Sequence, residues 1–392
     1  MSIQRVGVAG AGTMGGGIAQ LCALGRFDTF LHDPAPDALA EGEQRVRHAL
    51  VKGADRGRWT QGEAEAASAR LIAASRLEDL SGCDLVIEAA PESLELKHDV
   101  FGRLAEACGP DAILATNTSS LSVTAIAAPV DRPERVCGMH FFNPPPAMKL
   151  VEVVAGDGTD PGVADAVAAL AERIGRTPVR AADEIGFIAN RCARPYSLEA
   201  LRMLGDRIAT VGQIDAVMRV DGGFRMGPFE LMDLVGVDVN FEVAKSFWEQ
   251  SFHEPRWQPH PIQAKMVASG RLGRKSGRGY YDYSSGTHDP SDEIELPPEA
   301  RAEIRDRIVC QLVNEAAFSL GKGIGSAEDI DTAMRLGFNW PRGPLTWGDE
   351  IGPEGVLTVL DRLRSETGEE RYRAAPLLRR RVAERRPLRE DA

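Results

Sequence analysis

Arg5-Val-Gly-Val-Ala9, Gly10-Ala-Gly-Thr-Met-Gly15 and the run 17–24 are followed by Thr29-Phe-Leu-His32 and Asp33. In order these are a short apolar strand, a turn of spaced glycines, a helix, a second strand and an acid at that strand's end. The glycine pattern alone is weak evidence, but the ordered combination is specific. Gly10 permits the tight turn, Gly12 lets the main chain approach a pyrophosphate, and Gly15 lets helix and strand pack closely. The helix N-terminus then faces the anion. Asp33 lies 18 residues after Gly15, where an acid bonds both hydroxyls of a ribose. Its charge repels a 2′-phosphate, and Pro34-Ala35-Pro36 brings no arginine in compensation, so NAD is expected rather than NADP.

The alternation continues outward. Residues 37–52 and 61–70 read as helices, 83–90 as a strand running into Pro91-Glu92, and Leu94–Ala107 as a helix. Residues 112–116 form another strand, ending in Asn117-Thr118-Ser119-Ser120. In open α/β sheets ligands sit beyond the carboxyl ends of the strands, which is where Glu92, Lys97, Ser119 and Asn143 fall. Ser119 and Ser120 equally suit the cap of a following helix. Arg45, Arg47 and Lys52 on the first of these helices read as a solvated face, or as partners of ligand phosphates.

Residues 135–155 hold two apolar runs, 136–142 and 150–154, around Pro144-Pro-Pro146. Pairing them antiparallel about Pro145–Pro146 sets His140 opposite Val151 or Glu152. Directly opposed Cβ atoms are roughly 4.5–5.5 Å apart, so imidazole and carboxylate meet. That is a general base with an orienting acid, or a half-buried hairpin whose His and Glu merely satisfy each other.

Near residue 180 the alternation gives way to helices over 187–204, 214–220 and 228–249, with Asn190 in the first. The substrate is therefore expected between the two parts. A glycine-rich basic loop, 273–279, carries Lys275 and also reads as an ordinary surface loop. An offset of 116 residues carries Ile214-Asp215 to Ile330-Asp331, Glu199 to Glu315, Gly227-Pro228 to Gly343-Pro344, Asp233 to Asp349 and Gly236 to Gly352. A constant register of this kind marks a duplicated helical unit, with 289–298 as the linker. The second copy has no counterpart of loop 273–279 and reads as structural. The basic run at 379–386 reads as a solvated terminal helix.

Composition narrows the function classes. A net charge of −12 argues against general nucleic-acid binding and against a basic membrane-surface protein. No apolar run approaches the roughly 20 residues of a membrane span. The cysteines (22, 83, 108, 137, 192, 310) are scattered without CxxC spacing, so no metal site is expected. They read as buried thiols of a cytoplasmic protein.

Five motifs, Gly10-Ala-Gly-Thr-Met-Gly15, Val86-Ile-Glu-Ala-Ala-Pro-Glu92, Asn117-Thr-Ser-Ser-Leu121, His140-Phe-Phe-Asn-Pro-Pro-Pro146 and Gly186-Phe-Ile-Ala-Asn-Arg191, occur together and in order. They resemble the 3-hydroxyacyl-CoA dehydrogenase family over about residues 3–350. The resemblance implies an α/β Rossmann-type NAD-binding domain (1–182) followed by two related all-α domains (183–286 and 299–387). It implies His140 as catalytic base, Glu152 as its partner, Ser119 on the substrate's 3-oxygen and Asn190 holding the reacting group. The implied cofactor set is Gly10, Gly12, Thr13, Met14, Gly15, Asp33, Glu92, Lys97, Asn117, Ser119, Asn143 and Lys275. The family's serine in the helix after Asp33 has no counterpart here, which leaves Lys52 or Arg56 for the coenzyme A phosphates. The implied reaction oxidises an (S)-3-hydroxyacyl-CoA, short-chain or dicarboxylic (3-hydroxybutyryl or 3-hydroxyadipyl). In the family's shorter members one helical unit forms a dimer contact, so the duplicated unit implies a homodimer or a pseudo-dimer within one chain. The competing readings are a dehydrogenase of a free hydroxy acid or sugar acid, of carnitine or gulonate type, and a silent NAD-binding protein.

Overall fold

The computed structural model describes residues 3–285, 291 and 294–390. The chain divides into two compact units, Met1–Phe187 and Ile188–Ala392.

The first unit is built on a sheet of order β3-β2-β1-β4-β5-β6-β7-β8. The strands are β1 (Arg5–Ala9), β2 (Asp28–His32), β3 (Leu71–Ala74), β4 (Leu85–Glu88), β5 (Ile113–Thr116), β6 (Val136–Phe141), β7 (Leu150–Ala155) and β8 (Thr177–Ala182). All neighbours are parallel except β6 and β7. The helices are α1 (Thr13–Leu24), α2 (Pro36–Asp55), α3 (Gln61–Arg70), α4 (Leu94–Ala107), α5 (Val123–Ile126) and α6 (Pro161–Arg173). Strand order reverses at β1, which has β2 on one side and β4 on the other; the crevice at such a switch point is where dinucleotides bind. Val6, Val8, Ile87, Met139 and Val153 from the strands pack with Ile18, Leu50 and Val167 from the helices in one core. Residues 183–187 belong with this unit, five beyond the expected boundary. Asp183 receives the main-chain N–H groups of Val123 and Thr124 at 2.8 and 2.7 Å, and the Phe187 ring lies 5.8 Å from that of His140.

The second unit is helical: α7 (Ala189–Gly205), α8 (Val211–Val220), α9 (Pro228–Val235), α10 (Val237–Gln250), α11 (Pro261–Ala268), α12 (Pro298–Gly321), α13 (Ala327–Gly337), α14 (Pro344–Ile351), α15 (Pro353–Thr367) and α16 (Pro376–Glu384). The single helix expected over 228–249 is broken at Gly236, whose φ of 108° no side chain tolerates easily; its repeat partner Gly352 has φ 88°. The repeat is visible in matching devices. Thr210 caps α8 and Ser326 caps α13. Asp215 receives the N–H groups of Phe229 and Glu230, as Asp331 receives those of Leu345 and Thr346. A Cβ at Gly227 or Gly343 would lie within 2.4 Å of Asp215 or Asp331, so both positions exclude a side chain. The likeness runs to the C-terminus: Asp233 holds the N–H groups of Tyr280 and Tyr281, and Asp349 those of Leu388 and Arg389. The basic run at 379–386 is therefore not simply solvated. Leu377, Leu378 and Arg381 of α16 are buried, in the place α11 takes in the first copy. Residues 289, 290, 292 and 293 of the expected linker lie outside the described residues.

Helices α7 and α12 are equivalent in the repeat and pack on each other, joined by reciprocal ion pairs. Arg191 pairs with Glu315 at 3.0 Å and Arg307 pairs with Glu199, all of them buried. The offset of 116 carries Arg191 to Arg307 and Glu199 to Glu315, so each copy gives the other the same arginine and the same acid.

Candidate active site

His140 and Glu152 face each other directly across β6 and β7. The imidazole Nδ1 lies 2.7 Å from Glu152 Oε2, with His140 5% and Glu152 0% exposed. A carboxylate only accepts, so Nδ1 carries the proton and Nε2 keeps its lone pair. The rings of Phe142 and Phe187, at 4.7 and 5.8 Å, wall the imidazole on its sides. Asn117, just beyond β5, accepts the Phe141 N–H on its side-chain oxygen at 2.8 Å. It thereby ties the end of the histidine strand to the next strand.

The turn after β5 is held by one carboxylate. Glu92 Oε1 accepts from the Thr118 hydroxyl (2.6 Å), the Ser119 N–H (3.0 Å), the Ser120 N–H (3.1 Å) and the Ser120 hydroxyl (2.9 Å). Burial raises the Glu92 pKa, but the Thr118 hydroxyl, the Lys97 ammonium and the two serines outweigh it and hold the carboxyl below its ordinary value. Lys97 is buried; its ammonium lies 2.7 Å from Glu88 and 3.4 Å from Glu92. Neither Ser119 nor Ser120 caps a helix, because Ser122 caps α5. The Ser119 hydroxyl is exposed and has no protein partner among the described residues. Glu92, expected like Lys97 as a cofactor contact, thus holds the Ser119 turn, and Lys97 lies beside it at 3.4 Å. Lys97→Met is therefore expected to lower kcat about 10–10²-fold per folded molecule, the cost of displacing a contact group by about 1 Å, with the KM for NAD unchanged. A raised KM for NAD at intact kcat would instead make Lys97 a cofactor contact.

At the glycine turn, Gly10 has φ 116° and a Cβ there would lie 2.6 Å from Ala89 O; a Cβ on Gly15 would lie 1.7 Å from Gly10 O. Gly12 has nothing within 4 Å of a Cβ position, and no side chain caps the α1 N-terminus that it opens. Free N–H groups beside an open face suit a pyrophosphate. Asp33 directly follows β2 and accepts the Ala11 N–H on Oδ2 at 2.9 Å, beside the same turn. Arg45 donates to Ala11 O at 2.7 Å and Arg47 bonds Glu43 and Ser68, so these two basic residues of α2 are tied down and not freely solvated. The cradle fits a dinucleotide without a 2′-phosphate.

Residues 5–184 match the NAD-binding domain of 3-hydroxyacyl-CoA dehydrogenase, and residues 186–283 and 304–391 match that enzyme's C-terminal domain in two segments. The chain belongs to the 3-hydroxyacyl-CoA dehydrogenase family. Among its relatives, the 3-hydroxyadipyl-CoA dehydrogenase of Escherichia coli is 38% identical, over 97% of this chain and 98% of that protein. A probable 3-hydroxybutyryl-CoA dehydrogenase of Bacillus subtilis is 40% identical, over 73% of this chain and its own whole length. The crystal structure of 3-hydroxybutyryl-CoA dehydrogenase from Escherichia coli superposes with a TM-score of 0.93 at 37% identity, covering 98% of this chain and 99% of that one. The chain is an NAD-dependent 3-hydroxyacyl-CoA dehydrogenase.

The remaining expected residues of the dehydrogenase fall as follows. Thr13 and Met14 open α1, and Asn143 is exposed in the loop after β6. Lys52 lies in the last turn of α2 and Arg56 just beyond it, both exposed. In the helical unit Asn190 sits in the first turn of α7, where its carbonyl accepts from Arg194, and Lys275 pairs with Asp238 at 2.6 Å. Sequence reasoning missed Glu88, which gathers Lys97, Thr116 and the Ala90 N–H in the core. The only signal for it was an acid ending a strand of otherwise apolar residues. All six cysteines are buried free thiols. No helix among the described residues is long and apolar enough to cross a membrane.

Proposed function

We propose that the chain oxidises the 3-hydroxyl of short-chain or dicarboxylic (S)-3-hydroxyacyl-CoA, of butyryl or adipyl type, with His140 as general base. The observation that carries this is the buried His140–Glu152 pair, 2.7 Å apart, with Nε2 left to accept. His140 Nε2 takes the proton of the substrate hydroxyl, and Glu152 stabilises the imidazolium without moving a proton itself. Ser119 donates to the 3-oxygen as it becomes a carbonyl, and Asn190 helps hold the reacting group. Bound NAD would supply the acceptor for the hydride of the carbinol carbon. Gly10, Gly12, Thr13, Met14, Gly15 and Asp33 hold it, with Asn117, Asn143 and Lys275 in supporting roles. Lys52 or Arg56 meets the coenzyme A phosphates. The second helical copy acts as an internal substitute for a dimer partner, and the reciprocal Arg–Glu pairs of α7 and α12 support that reading. A cytoplasmic location agrees with the buried free thiols.

The test is NAD reduction, followed by absorbance, on (S)-3-hydroxybutyryl-CoA, a longer hydroxyacyl-CoA and 3-hydroxyadipyl-CoA, with free 3-hydroxybutyrate as control. Turnover confined to the thioesters is the expected result, and their ranking identifies the acyl preference. Activity on the free acid alone would support a hydroxy-acid dehydrogenase instead.

A further inference from the structure

Arg194 is a buried cation that the helical unit does not neutralise. It is 7% exposed and stands on α7 one turn beyond Asn190, to whose carbonyl its Nε donates at 3.1 Å. Its Nη1 is enclosed, and neither terminal nitrogen has a hydrogen-bond partner among the described residues. Burial pushes its pKa down to about 10, with no neighbouring acid to offset that, and the group stays charged at neutral pH. The other buried arginines of this unit are provided for. Arg191 and Arg256 share Glu315, Arg307 holds Glu199 and Arg371 holds Glu369. Arg202 and Arg381 give terminal nitrogens to main-chain carbonyls. The repeat sharpens the contrast. The offset of 116 keeps the arginine and the acid of the α7–α12 pairs, but it carries Arg194 to Cys310 and Asn190 to Asp306. Cys310 is buried, so packing at this helix position does not require a guanidinium. A charge buried without a partner is destabilising, and a carboxylate brought by a ligand removes that cost. The guanidinium fork matches both oxygens of a carboxylate. The Phe247 ring lies 5.6 Å from the guanidinium, and Trp257 stands edge-on to Phe247 with its indole N–H also unpartnered among the described residues. Apolar walls beside a few polar groups suit a short methylene chain with a charged end.

We propose that Arg194 receives the distal carboxylate of a dicarboxylic acyl chain and so selects thioesters of adipyl type over monocarboxylic ones. The inference rests on the acyl-CoA reading above, in which Asn190 holds the reacting group, and it decides between the acyl classes named there. Residues four apart on a helix share one face, with Cβ atoms about 5–6 Å apart, and their side chains lean toward the helix N-terminus. The Arg194 guanidinium accordingly reaches back over Asn190, as its bond to the Asn190 carbonyl shows. In a 3-hydroxyadipyl chain the carboxylate carbon lies three bonds beyond C3, a span on the order of that spacing. A 3-hydroxybutyryl chain ends one bond beyond C3, in a methyl group that cannot neutralise the guanidinium.

The test measures kcat/KM on 3-hydroxyadipyl-CoA and on 3-hydroxyhexanoyl-CoA, the same chain with a methyl group in place of the carboxylate. The wild type is expected to prefer the adipyl thioester about tenfold or more, the effect of charge-assisted hydrogen bonds to one carboxylate. In Arg194→Met that ratio is expected to fall about 10–10²-fold, and Arg194→Lys should keep part of it. Competitive inhibition of the wild type by adipyl-CoA and hexanoyl-CoA, which lack the 3-hydroxyl, reads the same preference without a variant. Adipyl-CoA is expected to bind about tenfold tighter or more, and this ratio decides if Arg194→Met fails to fold. A wild type that treats the two chains alike, or favours hexanoyl, overturns the proposal. An equal fall on both thioesters in Arg194→Met, which leaves the ratio unmoved, overturns it as well. Wild-type turnover of either thioester keeps the dehydrogenase reading intact through these failures, whereas silence on both would overturn that reading itself.

Discussion

In a His140→Ala variant, kcat is expected to fall about 10²–10⁴-fold while NAD still binds with wild-type affinity. The two outcomes separate because the imidazole sits at the end of β6, whereas the glycine turn and Asp33 belong to β1 and β2. Without the base, the hydroxyl proton must leave to water in a position walled by Phe142 and Phe187. Glu152→Gln should reproduce part of this loss, on the order of a hundredfold. The amide fills the same volume and its oxygen can still accept from Nδ1, but it cannot stabilise an imidazolium by charge. Stopped-flow absorbance of the reduced cofactor measures the chemical step, and NAD titration measures binding. Near wild-type turnover in either variant would remove the His–Glu pair from the mechanism.

The largest stability effect is expected at Glu315. This carboxylate is 1% exposed and takes Arg191 at 3.0 Å and Arg256 at 2.9 Å. Glu315→Gln removes the carboxylate that two buried guanidinium groups share, while Arg256 keeps Glu254 at 3.3 Å; removing one member of such a cluster costs about 3–5 kcal/mol. Arg191 is fully buried with its guanidinium 4.7 Å over the Trp257 ring, so it cannot simply swing into water. Urea unfolding followed by tryptophan fluorescence reports on this, because Trp248, Trp257, Trp340 and Trp347 lie in the helical unit and only Trp59 lies outside it. Adding Arg191→Met to Glu315→Gln should recover part of the loss. A midpoint unchanged by Glu315→Gln would mean that the pairs joining the two copies contribute nothing to holding them together.

Much of the site was legible from short-range pattern. The glycine turn, the strand after it and Asp33 emerged from spacing alone, because a phosphate-binding turn tolerates few residue types at those positions. The register of His140 with Glu152 followed from two apolar runs and the loop between them, since a pleated pair permits only small slips. Strands β3 and β8 were not anticipated. Leu71-Ile-Ala-Ala74 and Thr177-Pro-Val-Arg-Ala-Ala182 are edge-region segments of weak alternation, and pairing with β2 and β7 makes them strands. The break at Gly236 was hidden because one glycine inside a helical pattern is usually tolerated. Strand-end logic brought Glu92 and Lys97 to the site. That the ammonium turns inward to Glu88 depends on how α4 packs, which no local pattern records.

The sequence by itself determined the order of the α/β elements apart from β3 and β8, the NAD cradle, the facing of His140 and Glu152, and the duplication at an offset of 116 residues. Each of these rests on residues a few positions apart, or on a constant register along the chain. The tertiary structure decided which buried charges pair. Arg191 and Glu315 are 124 residues apart and Arg307 and Glu199 are 108 apart, too far for periodicity to link them. It also buried Arg194 with no acid beside it. The physical reason is common to both cases. A charge acquires its role from the desolvation and the partners that packing imposes on it, and those exist only once the chain has folded.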